Sequence, residues 1–188
     1  ATGSPFLGHF DIPEKKRVLF MSGESGAATL RETMIRQAES KGIDPAEIGD
    51  RLLISDRVLR FDDVSRWNDT LAAYRPDVVI PDPAYLCMPG GDAGNLFIQG
   101  EILRTLNDAC QKSGVTPLLV HHTKKGNGVG RPELEDIAWA GFQEWARQWI
   151  LLGRRKPYVP GSGEHRLWMS VGGSAGHSSL WGVDVNEG

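Results

Sequence analysis

Cysteine is scarce: Cys87 and Cys110 are the only two in 188 residues. They lie far apart and in no C-x-x-C context, which excludes a disulfide framework and a thiolate zinc site of the usual spacing. Reduced thiols are the expectation. Long apolar runs are also missing, none approaching the roughly 18 residues of a membrane span. The first residues lack a basic-then-apolar leader pattern, so a cytoplasmic chain with no membrane partner is expected. Charge of one sign is lacking as well. Lys plus Arg number 21 against 24 Asp plus Glu, a formal net charge of −3, which argues against a protein that coats nucleic acid by bulk charge and leaves room only for a local basic loop. There is no internal repeat and no low-complexity segment. What is present, 40% hydrophobic and 24% charged residues, suits one sizeable globular domain.

Apolar β-type runs alternate with helical patterns at intervals that suit a parallel α/β sheet. Residues 17–22 form a short buried-strand pattern. A helix follows over 27–40, with Leu30, Met34 and Ile35 at helical spacing and Gly42 as its stop. Residues 52–54 are the next strand, and Asp62 and Asp63 stand where a cap would open a helix through Trp67 and Leu71 to Tyr74, ended by Pro76. Residues 77–80 predict a third strand. A long amphipathic helix is predicted over 95–112 with Ile98, Ile102, Leu103, Leu106 and Ala109 inward, and a fourth strand over 116–120. Beyond Gly130, residues 133–143 read as helix and 148–152 as strand. Residues 166–171 and 179–185 alternate as antiparallel strands do. The expected architecture is a single α/β domain over 1–188, with a mostly parallel core flanked by helices over 1–152 and a β-rich extension over 153–188 ending in an antiparallel hairpin.

The 23 glycines exceed the usual share of about 7%, yet none builds a phosphate cradle. A P-loop needs G-x-x-x-x-G-K-[ST], because lysine reaches the phosphates and the hydroxyl holds magnesium. Counted from Gly23 the last three positions are Ala28, Thr29 and Leu30. From Gly26 they are Arg31, Glu32 and Thr33, so both registers lack the lysine. Carboxylates at strand ends are more informative. Glu24 lies just past the first predicted strand and Asp82 just past the third, and in a parallel sheet such ends share the edge where ligands bind. There Asp82 suits a hydrated magnesium ion and Glu24 suits orienting and deprotonating an attacking water. The plainer alternative is a turn aspartate between Pro81 and Pro83 and an exposed acid at a helix start.

His121-His122-Thr-Lys-Lys125 ends the fourth predicted strand on the same edge. Adjacent strand positions face opposite ways, so a shared metal is not expected. One imidazole suits reading the third phosphate of a nucleotide by hydrogen bonding. Lys124, Lys125 and Arg131 flank the glycine-rich residues 126–130, a basic loop suited to phosphate backbones or an ordinary solvated loop. Of the tryptophans, Trp139, Trp145, Trp149, Trp168 and Trp181 fit core and edge packing better than base stacking.

In order and spacing these pieces resemble the RecA-like P-loop ATPases of the plasmid RepA type, related to the DnaB-type hexameric helicases. The resemblance runs from Ala1 to about Leu152. Ala1-Thr-Gly-Ser-Pro-Phe-Leu-Gly8 resembles the end of the family's P-loop helix, and Val18-Leu-Phe-Met-Ser-Gly-Glu24 its strand carrying the catalytic glutamate. Pro76-Asp-Val-Val-Ile-Pro-Asp-Pro-Ala-Tyr85 is similar to the Walker B strand, with Asp82 at the magnesium position. Leu118-Leu-Val-His-His-Thr-Lys-Lys125 is similar to the histidine motif, with His122 coupling the γ-phosphate to nucleic acid. The resemblance implies ATP and Mg2+ as cofactors and single-stranded DNA as partner. It also implies a homo-oligomeric ring and DNA-facing segments at 89–95 and 123–131. Arg154 and Arg155 inherit the role of cations reaching a neighbouring subunit's phosphate, with Arg147 a competitor.

Two departures stand out. The family's order puts the P-loop immediately before Ala1, so the chain looks like a motor without its first piece and is expected to bind ATP weakly. Pro81 interrupts the Walker B strand, where it removes a ladder N–H. The leading expectation is an ATPase of the replicative helicase type. The alternatives are a non-catalytic RecA-like module that binds nucleic acid or a partner protein, and more remotely a hydrolase using His122 and Asp82.

Overall fold

The computed structural model describes residues 1–90, 94–124 and 128–187. Its elements run β1 (Val18–Ser22), α1 (Ala27–Ser40), α2 (Pro45–Ile48), β2 (Leu52–Ser55), α3 (Val64–Tyr74), β3 (Val78–Asp82), α4 (Leu96–Lys112), β4 (Thr116–Pro117), α5 (Phe142–Trp145), β5 (Gln148–Arg154), β6 (Glu164–Gly173) and β7 (Ser178–Asn186). The chain divides into two units, residues 1–91 with 101–121 and residues 92–100 with 122–188. Among the described residues no helix is long and apolar enough to cross a membrane.

In the first unit four parallel strands are ordered β2-β1-β3-β4. Helices arise where the apolar spacing predicts them, and local chemistry sets their ends. Gly42 takes φ +63° after α1, a left-handed stop that a side chain would resist. The Asp63 side chain accepts from the Arg66 N–H at 3.2 Å and caps α3. Asp62 pairs with Arg60 instead, and that hydrogen bond holds its carboxyl below the usual range. The core gathers Leu19, Met21 and Val79 from the strands and Leu30, Trp67, Leu71, Leu103, Leu106 and Cys110 from the helices.

The fourth strand is shorter than the predicted 116–120, and Pro81 gives the reason. In a parallel ladder a residue's N–H and C=O face the same neighbour. The Pro81 carbonyl accepts from Val120 N–H at 3.1 Å, so its missing donor also faces β4, and the regular ladder stops at Pro117. The chain still runs alongside, with Leu118 N–H donating to Val79 O at 2.9 Å. Proline is thus tolerated within β3 because its gap faces a terminal strand rather than β1.

Three expectations are corrected. Ile98 is not inward but 48% exposed, and Gln99 is buried, because the stripe through Leu103 and Leu106 extends back by four residues to 99. Residues 133–143 are not one helix. A 3-10 turn over Leu134–Asp136 ends where Ile137 pairs with Thr123, and Trp139 (φ +67°) and Gly141 (φ +90°) bar continuation into α5. Residues 1–10 form no helix; Phe6 N–H and Phe10 O close a turn at 2.8 Å.

In the second unit the predicted hairpin β6–β7 is present, and β5 joins it in a separate three-stranded antiparallel sheet, not an edge on the parallel one. Gly172 is required at its place. A Cβ there would lie 2.4 Å from the Trp149 indole.

Candidate functional site

The parallel sheet brings the two predicted acids to the carboxyl ends of neighbouring strands. Ser22 pairs with Asp82 across β1 and β3, and Gly23 N–H donates to Asp82 O at 2.9 Å just beyond the last pair. Glu24 follows at once, so both acids leave the carboxyl ends of adjacent strands, where α/β sheets bind ligands. Ser22 beneath them is 3% exposed, whereas Glu24 is open to solvent. A groove of about 420 Å³ between α1, α2 and β2, lined by residues such as Ala27, Leu30, Arg31, Met34, Ile48 and Asp56, includes neither acid. The carboxylates therefore sit on an open edge, not in that groove.

Sequence reasoning missed Tyr85. Its hydroxyl donates to Glu24 Oε1 at 2.9 Å, and this hydrogen bond, with desolvation and the Glu24 charge, pushes the phenol above its ordinary value. The residue stands three places after Asp82, but only a contact spanning 61 positions reveals the pairing.

The predicted cations lie in the second unit. His122 and Lys124 are held through their backbones: Ala138 N–H donates to His122 O at 3.1 Å and Lys124 N–H to Asp136 O at 2.6 Å. The Lys124 ammonium donates to Glu135 O at 2.7 Å, one of its three N–H donors. Lys125 and residues 91–93 of the 89–95 segment lie outside the described residues. Arg131 and Arg155 converge on one ring, their guanidinium carbons 5.5 and 5.6 Å from the Trp168 centroid. Arg155 also pairs with Asp184, which Arg166 holds at 2.7 Å. Arg154 and Arg147 are exposed. Among the described residues no three His, Cys, Asp or Glu side chains cluster as a metal-binding group.

The fit to magnesium nucleotide is partial. A magnesium ion keeps several waters and needs only one or two protein carboxylates, a place Asp82 suits. The phosphate end is unmatched, since neither glycine-rich register carries a lysine.

A parallel sheet with helices between its strands and acids at its carboxyl edge places the chain among α/β modules that bind ligands at strand ends. Residues 1–128 match the AAA_25 family, described as an AAA domain, and the chain belongs to that family. No curated protein matches it. Family and sheet together fit a RecA-like ATPase module, and the matched span contains Glu24, Asp82 and the histidine segment.

Proposed function

We propose that this chain belongs to an ATP-hydrolysing RecA-like motor of the replicative helicase type, acting on single-stranded DNA as a homo-oligomeric ring. The observation that carries the reading is that Glu24 and Asp82 stand at the carboxyl ends of adjacent strands inside the family-matched segment. Asp82 would hold magnesium, which supplies charge neutralisation at a transferring phosphoryl group when bound. Glu24, open to solvent, is suited to orient a water and take its proton. His122 is the candidate sensor of the third phosphate, and Lys124, Lys125 and Arg131 are the candidate DNA contacts. Of the two arginines offered to a neighbouring subunit, Arg154 suits the role better, because Arg155 is already engaged by Asp184 and Trp168.

Steady-state ATP hydrolysis by the full gene product tests the assignment. Glu24→Gln should lower turnover by about 10²- to 10⁴-fold, and Asp82→Asn should abolish the magnesium-dependent rate. Unchanged turnover in either variant removes that residue's role. The alternative, a non-catalytic module that binds nucleic acid or a protein, draws on the Gly23 and Gly26 registers, neither of which carries a lysine. It predicts DNA binding with no turnover in the unaltered protein.

A further inference from the structure

We propose that Tyr85 is a positioning residue that fixes the Glu24 carboxylate through its hydroxyl. This inference rests on the ATPase reading of Glu24. The turn that carries Tyr85, Ala84–Cys87, is anchored at both ends. Ala84 N–H donates to Val120 O at 2.7 Å, and Phe61 N–H donates to Cys87 O at 2.7 Å. Ala84 and Cys87 are fully buried. The turn also presses on the strand end that leads to Glu24: a Cβ on Gly23 would lie 2.7 Å from Leu86 Cδ1 and 3.3 Å from Val58 Cγ2. Hence the core sets where the phenol stands, and the phenol sets the carboxylate.

The consequence is specific. A glutamate at an exposed helix start has several rotamers of similar energy, and only some would face a water in line for attack. Tyr85 donates its O–H to Oε1 and so restricts which of those orientations the carboxylate adopts. Misplacing a reacting group by about 1 Å can cost on the order of 10²-fold in rate.

Two readouts test this in the full gene product. In steady-state hydrolysis, Tyr85→Phe, which keeps the ring and removes the donor, should lower kcat by roughly 10- to 100-fold with KM for magnesium ATP within about twofold. In a Glu24→Gln background the same change should have no further effect. Independently of activity, the Tyr85 phenol followed by ¹³Cζ tyrosine NMR without nucleotide should titrate lower in Glu24→Gln than in the unaltered protein. An unaltered protein with no turnover overturns the ATPase reading and this inference with it. Wild-type turnover with an unchanged kcat in Tyr85→Phe, an additive loss in the double variant, or a phenol indifferent to Glu24→Gln overturns this inference alone.

Discussion

The two units reach stability by different means. The first buries Phe61, Trp67, Val79, Leu103, Leu106 and Cys110 completely, and the candidate acids Glu24 and Asp82 stand outside that core at the strand ends. The second has fewer deep apolar residues, chiefly Leu151, Phe142 and Met169. Its sheet is instead dressed by guanidinium groups, with Arg131 and Arg155 on Trp168 and Arg155 and Arg166 on Asp184. Where cations do the holding, they are committed to structure, and Arg155 on Asp184 and Trp168 is weaker evidence of a binding role than the exposed Arg154 beside it.

The largest test of this contrast is Trp67→Ala. Trp67 is fully buried, and its indole N–H donates to Arg60 O at 2.9 Å. The substitution should cost about 3–5 kcal/mol. Burial pushes the Cys87 and Cys110 thiols up to about 12 and about 11, so at pH 8 they should resist a thiol reagent until the first unit opens. The other five tryptophans all lie in the second unit, so in this variant fluorescence reports that unit alone. Thiol exposure should move to much lower denaturant while the fluorescence midpoint moves less. Equal shifts would mean that the units unfold together.

Gly172→Ala probes the other side with a smaller effect. Its Cβ would meet the Trp149 indole at 2.4 Å, and the resulting overpacking should cost about 1–3 kcal/mol. The fluorescence transition should fall and thiol exposure stay in place. A fluorescence midpoint unchanged from that of the parent would show that the indole yields without strain.

Legibility in the sequence follows the same division. In the first unit β1, α1, α3 and most of α4 could be read from apolar spacing, because helix and strand periods are local properties. That Glu24 and Asp82 share an edge was legible too, since parallel strands necessarily bring their carboxyl ends to one edge. Ile98 misled because Gln99, a polar residue, takes the inward position one place on. In the second unit the hairpin was readable from alternation, but residues 133–143 were not. Their helical spacing loses to the pairing of Ile137 with Thr123 and to left-handed backbone at Trp139 and Gly141. Tyr85 on Glu24 and Arg155 on Asp184 bridge 61 and 29 positions, and no local pattern encodes contacts of that range.

The smallest expected effect is electrostatic. Desolvation is the largest single influence on Asp184 and acts against ionisation. The hydrogen bond from Arg155 and the charges of Arg155 and Arg166 together outweigh it, holding the carboxyl below the usual range. A carboxyl depressed in the folded state contributes stability that is present above its unfolded value near 4. That contribution is lost as pH falls through the folded value. Asp184→Asn should therefore lower the second unit's melting temperature slightly at pH 6–7, with the gap closing as pH drops below about 4. Because Asp184 is 49% exposed, solvent screening keeps the shift small, and 1 M salt should shrink it further. A gap that stays constant down to pH 2 would assign the loss to packing against Arg155 rather than to charge.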